Sequence, residues 1–152
     1  MKSIATSFAL AFALLCTACA STAQSQAPSR AKIIFDNYQS LERSFDAAAA
    51  DLYCDSALIR NVRTFPDGQK RTLELPAKKY KELIRVAMPL AKAKGDYNTY
   101  SDVAYAPEGD NVRITTTRYS LLKKYSSPMS LLVGACNSGE WAILEELSES
   151  IP

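Results

Sequence analysis

The chain has 152 residues, with 18 Lys and Arg against 16 Asp and Glu, four cysteines and no histidine. A near-neutral balance without a long basic block excludes an electrostatic nucleic-acid binder; Lys78-Lys79 and Lys123-Lys124 are its densest basic spots. The missing imidazole excludes a serine-hydrolase triad and a cysteine–histidine nucleophile.

The first twenty residues read as an export signal (domain 1–20). Lys2 supplies the positive end, Ile4 to Leu15 form an uncharged apolar run, and Thr17, Ala18, Ala20 and Ser21 offer small residues for cleavage. A run of about a dozen residues is too short to cross a ~30 Å hydrocarbon core as a helix. Two processing routes stay open. Small-x-small patterns ending at Ala20 or Ala23 would release a mature chain from Ser21 or Gln24. Alternatively, Leu15-Cys16-Thr17-Ala18-Cys19 resembles a bacterial lipobox, in which Cys19 becomes the acylated first residue. With Ala20 after Cys19, that resemblance implies the outer membrane. The expected location is therefore the periplasm or the outside of the cell, or else an outer-membrane lipoprotein.

Residues 21–29 are polar and read as a flexible tether, leaving 30–152 as one domain with a core of its own. Two cysteines remain in it, Cys54 and Cys136. In an oxidising space they most simply form one disulfide; two buried thiols are the alternative. A metal site is not expected without histidine.

Within the domain, Ser29 is expected to cap a helix running to about Tyr53, with Ile34, Tyr38, Leu41, Phe45, Ala48, Ala49 and Leu52 along one face. Ala57 to Phe65 and Gln69 to Leu75 read as a hairpin around Pro66-Asp67-Gly68. Pro76 opens a second helix, Gly95 closes it, and Pro89 is expected to kink or shorten it. Tyr80, Leu83, Ile84, Ala87, Leu90 and Ala91 give this helix its apolar stripe. Tyr97 to Ala106 is a strand, turned by Pro107 to Asn111. In the next strand Val112, Ile114, Thr116 and Arg118 share one face. Ser126-Ser127-Pro128 is expected to interrupt the sheet. Met129 to Cys136 and Trp141 to Leu147 form the last hairpin around Asn137-Ser138-Gly139. The fold class is α+β: a curved antiparallel sheet packed against N-terminal helices in a single domain.

Two stretches carry a resemblance. Asp51-Leu52-Tyr53-Cys54-Asp55-Ser56-Ala57-Leu58-Ile59 resembles a junction at which a first helix ends in an acidic turn and enters a strand. Gly139-Glu140-Trp141-Ala142-Ile143-Leu144-Glu145-Glu146 resembles a closing hairpin with a tryptophan opening the last strand. Both, with the element order, are similar to the nuclear transport factor two-like superfamily, the cone fold of ketosteroid isomerase and scytalone dehydratase. The resemblance implies that Cys54 sits where the first helix meets the sheet and Cys136 near the end of the penultimate strand, which suits a bridge. It also implies a pocket for a small apolar ligand between sheet and helices.

No catalytic residue carries over from that family, and a His–Asp dehydratase mechanism is excluded outright. A carboxylate base with a tyrosine donor remains an alternative, with Asp55, Asp102 and eight tyrosines as raw material. Tyr53, Asp55, Asp102, Arg118 and Trp141 are the candidate binding residues; no cofactor is called for. Arg118 lines the pocket if its face points inward and is surface otherwise. The expected function is that of an exported cell-envelope binding domain without catalysis, holding a small apolar ligand or an envelope protein. Its alternatives are a pocket isomerase or lyase, and a lipoprotein accessory or inhibitor. A membrane is expected to be met only through a lipid anchor, and a homodimer is left open.

Overall fold

The computed structural model describes residues 18–151, with side chains from residue 26 onward. The export signal and Cys16 lie outside the described residues, and of Cys19 only the backbone is described.

Helix α1 spans Ala18–Ser44 and includes Pro28. It begins well before Ser29, so the residues read as a tether belong to its first turns. It also ends sooner than its apolar spacing suggested. Phe45 takes a left-handed φ of 58°, which breaks the helix. Asp46 then caps a separate 3-10 turn, Ala47–Leu52, by accepting from the Ala48 N–H at 2.8 Å. The buried face of α1 is set by Ala27, Ala31, Phe35 and Tyr38, and the fully buried Phe35 had not been singled out.

Strand β1 (Tyr53–Thr64) turns through Pro66-Asp67-Gly68 into β2 (Lys70–Pro76). Helix α2 follows as Ala77–Lys94, closed by Gly95 at φ 63°. It runs through Pro89 without ending. Pro89 is exposed, so the carbonyl its missing N–H leaves behind can meet water. Strands β3 (Asn98–Glu108), β4 (Asn111–Ser120), β5 (Tyr125–Ala135) and β6 (Trp141–Ser150) complete one six-stranded sheet in the order β2-β1-β6-β5-β4-β3.

The sheet is mixed rather than antiparallel throughout. β1 pairs in parallel with β6, and every other neighbour is antiparallel. Ser126-Ser127-Pro128 does not interrupt it but lies inside β5. The ladder to β6 begins only at Met129, so Pro128 sits at the margin of pairing on that side.

Both helices cover one face of the sheet. Under α1 lie Val112, Ile114, Leu131, Val133 and Ile143, all fully buried. Under α2 lie Ile59 and Leu75, with Tyr80 and Ile84 packed on them. The Cys54–Cys136 disulfide, with Cα atoms 5.8 Å apart, ties the start of β1 to the β5–β6 hairpin. Among the described residues no helix is long and apolar enough to cross a membrane.

Candidate functional site

A β-bulge decides what the inside of the cone contains. Val133 pairs with Ile143, but the preceding Leu132 pairs with Glu145, so Leu144 is an extra residue in β6. Simple alternation from Ile143 would send Glu145 inward. The bulge reverses the phase: Glu145 faces out and Glu146 faces in, only 2% exposed. The two consecutive acids therefore have opposite surroundings. Glu145 accepts from Arg113 at 2.5 Å and lies 3.5 Å from Arg60, on the wet side of the sheet.

Glu146 has no cation within ion-pair distance among the described residues. Its carboxyl oxygens are met by hydroxyls instead. Tyr80 donates from 3.1 Å to either carboxylate oxygen, and Tyr53 donates to Oε2. The two rings meet edge to face at 5.2 Å. An isolated buried carboxylate would cost several kcal/mol, so these donors replace the water it lost.

A second carboxylate has the same kind of partner. Glu42, half-buried on α1, accepts from Asn98 at 2.5 Å and from Tyr100. Burial raises its pKa from the ordinary value, while the Tyr100 and Asn98 bonds pull it back. Tyr38 and Phe35 pack against Tyr100, with ring centroids 5.9 and 5.6 Å apart. Burial, reinforced by nearby acids and tyrosines, pushes Tyr38, Tyr53, Tyr80 and Tyr100 well above the ordinary phenol value. These hydroxyls therefore remain donors. They solvate the carboxylates and do not act as bases.

Arg118 lies on the inward face of β4, in line with the buried Val112, Ile114 and Thr116. Its guanidinium donates to the Glu149 carbonyl at 2.6 Å and the Ser127 hydroxyl at 3.3 Å. Burial opposes its charge, but Tyr38, Tyr100, Glu146 and Tyr125 outweigh that and hold its pKa up. Below it, Asn61 bridges Ser148 and Ser150, at 3.0 and 2.7 Å.

The other candidates lie apart from this cluster. Asp55 is at the surface, its side chain 93% exposed, and it accepts from Lys81 at 2.6 Å. That hydrogen bond keeps its carboxyl below the ordinary range. Asp102 is exposed in a bulge of β3, at φ 54°, and accepts from Ser101. Trp141 is half-buried at the start of β6 with Arg30 stacked 5.6 Å over it. Of the sequence candidates, only Tyr53 and Arg118 are brought together with the interior acids. Glu146, Glu42, Tyr80 and Tyr100 were not picked out. Glu42 stands outside the apolar row read along the first helix, and nothing local distinguishes Glu146 from Glu145.

An open cleft of about 420 Å³ lies outside this cluster, lined by Cys54, Asp55, Ser56, Cys136, Asn137 and Ser138. Its one acid, Asp55, is held ionised by Lys81. No group of three or more metal-ligating side chains occurs among the described residues.

No protein-family model matches the chain, and no curated protein matches it. Solved structures do. An NTF2-like protein with a cystatin-like fold from Novosphingobium aromaticivorans superposes with TM-score 0.62 at 16% identity, over 86% of this chain and 85% of its own. An NTF2-like protein from Pseudomonas putida gives 0.65 at 11% identity, over 83% and 87%. A candidate dehydratase of the NTF2-like family from Streptomyces avermitilis gives 0.60 at 12%, over 84% and 98%. At such identities the likeness is one of fold: the chain, a single α+β domain with a curved mixed sheet and helices, has the fold of these NTF2-like proteins.

Proposed function

We propose that the chain is an exported, non-catalytic binding domain of the cell envelope that engages a protein partner through its surface. The observation that carries this reading is the closure of the interior around Glu146. The carboxylate best placed to act as a base in a cone-shaped pocket is 2% exposed and already receives two tyrosine hydroxyls. Tyr38 and Phe35, from α1, are buried against Tyr100, the donor to the second interior acid, Glu42. A pocket enzyme needs its base open to substrate and within hydrogen-bond reach of a reacting proton. Here the acids and hydroxyls answer one another, as in a structural polar core. The disulfide fits an oxidising compartment, which supports export.

The test is to purify the processed chain from the producing cell's envelope and denature it, then analyse what is released while capturing partners on the intact protein. The expected result is an envelope protein retained in fixed ratio and no small molecule in stoichiometric amount. Retention should survive Tyr80→Phe, which alters only the interior. A stoichiometric small molecule released on denaturation would overturn the reading in favour of a ligand carrier.

A further inference from the structure

Helix α2 presents an apolar stripe to solvent. Leu83, Val86 and Leu90 are 51%, 67% and 60% exposed. At 3.6 residues per turn they share an arc of about 80° with Lys79 and Lys94, one lysine beyond each end of the stripe. The opposite side of α2, Ala77, Tyr80 and Ile84, already packs on the sheet. Packing therefore does not account for the outer three. Singly exposed aliphatics are ordinary, but three consecutive members of one helical stripe form a patch.

The charges around the stripe are one-sided. α2 carries Lys78, Lys79, Lys81, Arg85, Lys92 and Lys94 against the single acid Glu82. Lys79 lies 3.8 Å from Glu82, Lys81 pairs with Asp55 and Arg85 with Asp51. Lys78, Lys92 and Lys94 have no acid within 4.0 Å among the described residues. Of these, Lys94 shares the stripe's arc, while Lys78 and Lys92 lie more than about 100° round the helix from its centre and add to the positive charge of α2 as a whole. The composition of the face argues against a protein partner at this spot. Such interfaces favour Tyr, Trp and Arg at their centres and are depleted in Lys, whereas this stripe has aliphatics rimmed by lysines and no aromatic residue. An aliphatic ridge with cationic flanks is what sinks into the headgroup boundary of a bilayer.

We propose that α2 is a membrane-docking helix that lies along an anionic lipid surface, with Leu83, Val86 and Leu90 in the headgroup region and Lys79 and Lys94 on the lipid phosphates. The inference goes beyond the function proposed above and does not depend on whether Cys19 is acylated.

The test uses the processed chain with vesicles of phosphatidylglycerol and phosphatidylethanolamine, and with vesicles of phosphatidylcholine alone. Wild type is expected to sediment with the first and, without an acyl chain, not with the second. Raised salt should release it, because exposed charges are screened. Affinity should fall roughly fivefold for each lysine replaced in Lys79→Gln and Lys94→Gln, the two that share the stripe's arc. Binding should be lost in the combined Leu83→Gln, Val86→Gln and Leu90→Gln chain, whose melting temperature should stay that of wild type. A Val86→Trp chain reads the helix directly even where an acyl chain already holds the protein down: its emission should shift to the blue on the anionic vesicles only. An unshifted emission on vesicle-bound protein, or undiminished binding by the glutamine variants of an acyl-free chain, would overturn the proposal. So would failure of an acyl-free wild type to bind anionic vesicles at low salt.

Discussion

The Tyr80 hydroxyl stands 3.1 Å from both carboxylate oxygens of Glu146, joining α2 to β6 across 66 residues of sequence. The contact lies where the parallel pairing of β1 with β6 brings Ile59 beside Glu146. Hydrogen bonds to a charged group contribute about 1.5–3 kcal/mol when their partner cannot return to water. Tyr80→Phe should therefore destabilise the chain by that amount in urea unfolding. In a double-mutant cycle with Glu146→Gln the two losses should fall short of adding. Additive losses would mean that the pair does not interact.

Glu42 should make stability pH-dependent in an unusual direction. Burial raises its folded pKa above the ordinary value of 4.5, so the native chain holds this proton more tightly than the unfolded chain. Its stabilising contribution is complete below the unfolded value and is lost as pH rises through the folded value. Measured against Glu42→Gln, wild type should lose stability as pH climbs from about 4.5 through the raised value. A flat difference between the two proteins across that window would rule the effect out.

The Cys54–Cys136 bridge closes a loop of 82 residues. A loop of that length restricts the unfolded chain by about 4 kcal/mol in the chain-entropy account. Cys54→Ala with Cys136→Ala should lower the unfolding free energy by that order, and a reductant should have no further effect on the double variant. A reductant that leaves wild type equally stable would argue against the bridge.

Asp46 restarts the chain after α1 breaks at Phe45. Its carboxylate accepts from the Ala48 N–H, satisfying a donor that no helical turn precedes. Asp46→Ala should cost about 1 kcal/mol, a fall of roughly 4 °C in melting temperature, and Asp46→Asn should restore most of it.

For the export route, a fatty-acid probe should label wild type and not Cys19→Ala if the chain is a lipoprotein. Simple release instead leaves both chains unlabelled and equally processed. Label on the alanine variant would place the acyl chain elsewhere.

What the residues determine by themselves is local. Pro66-Asp67-Gly68, Gly95 and Asn137-Ser138-Gly139 set their turns because each supplies a restricted or positive φ that few other residues tolerate. The inward row of β4, Val112, Ile114 and Thr116 with Arg118, follows from strict alternation in an unbulged strand. The opening of β6 by Trp141 agrees with the closing-hairpin motif, whereas β1 starts at Tyr53, ahead of the strand read from Ala57. The tertiary structure decides the rest. Which strand lies beside β1 depends on closing contacts some ninety residues apart, and the answer is a parallel partner, β6. The bulge at Leu144, visible only once β6 is paired with β5, turns Glu146 toward the tyrosines and Glu145 toward the arginines. Leu83 and Leu90 turn outward because α2 packs on the sheet through Ala77, Tyr80 and Ile84 instead. Helical spacing marks a stripe, but only the packed partner determines which side of it is buried.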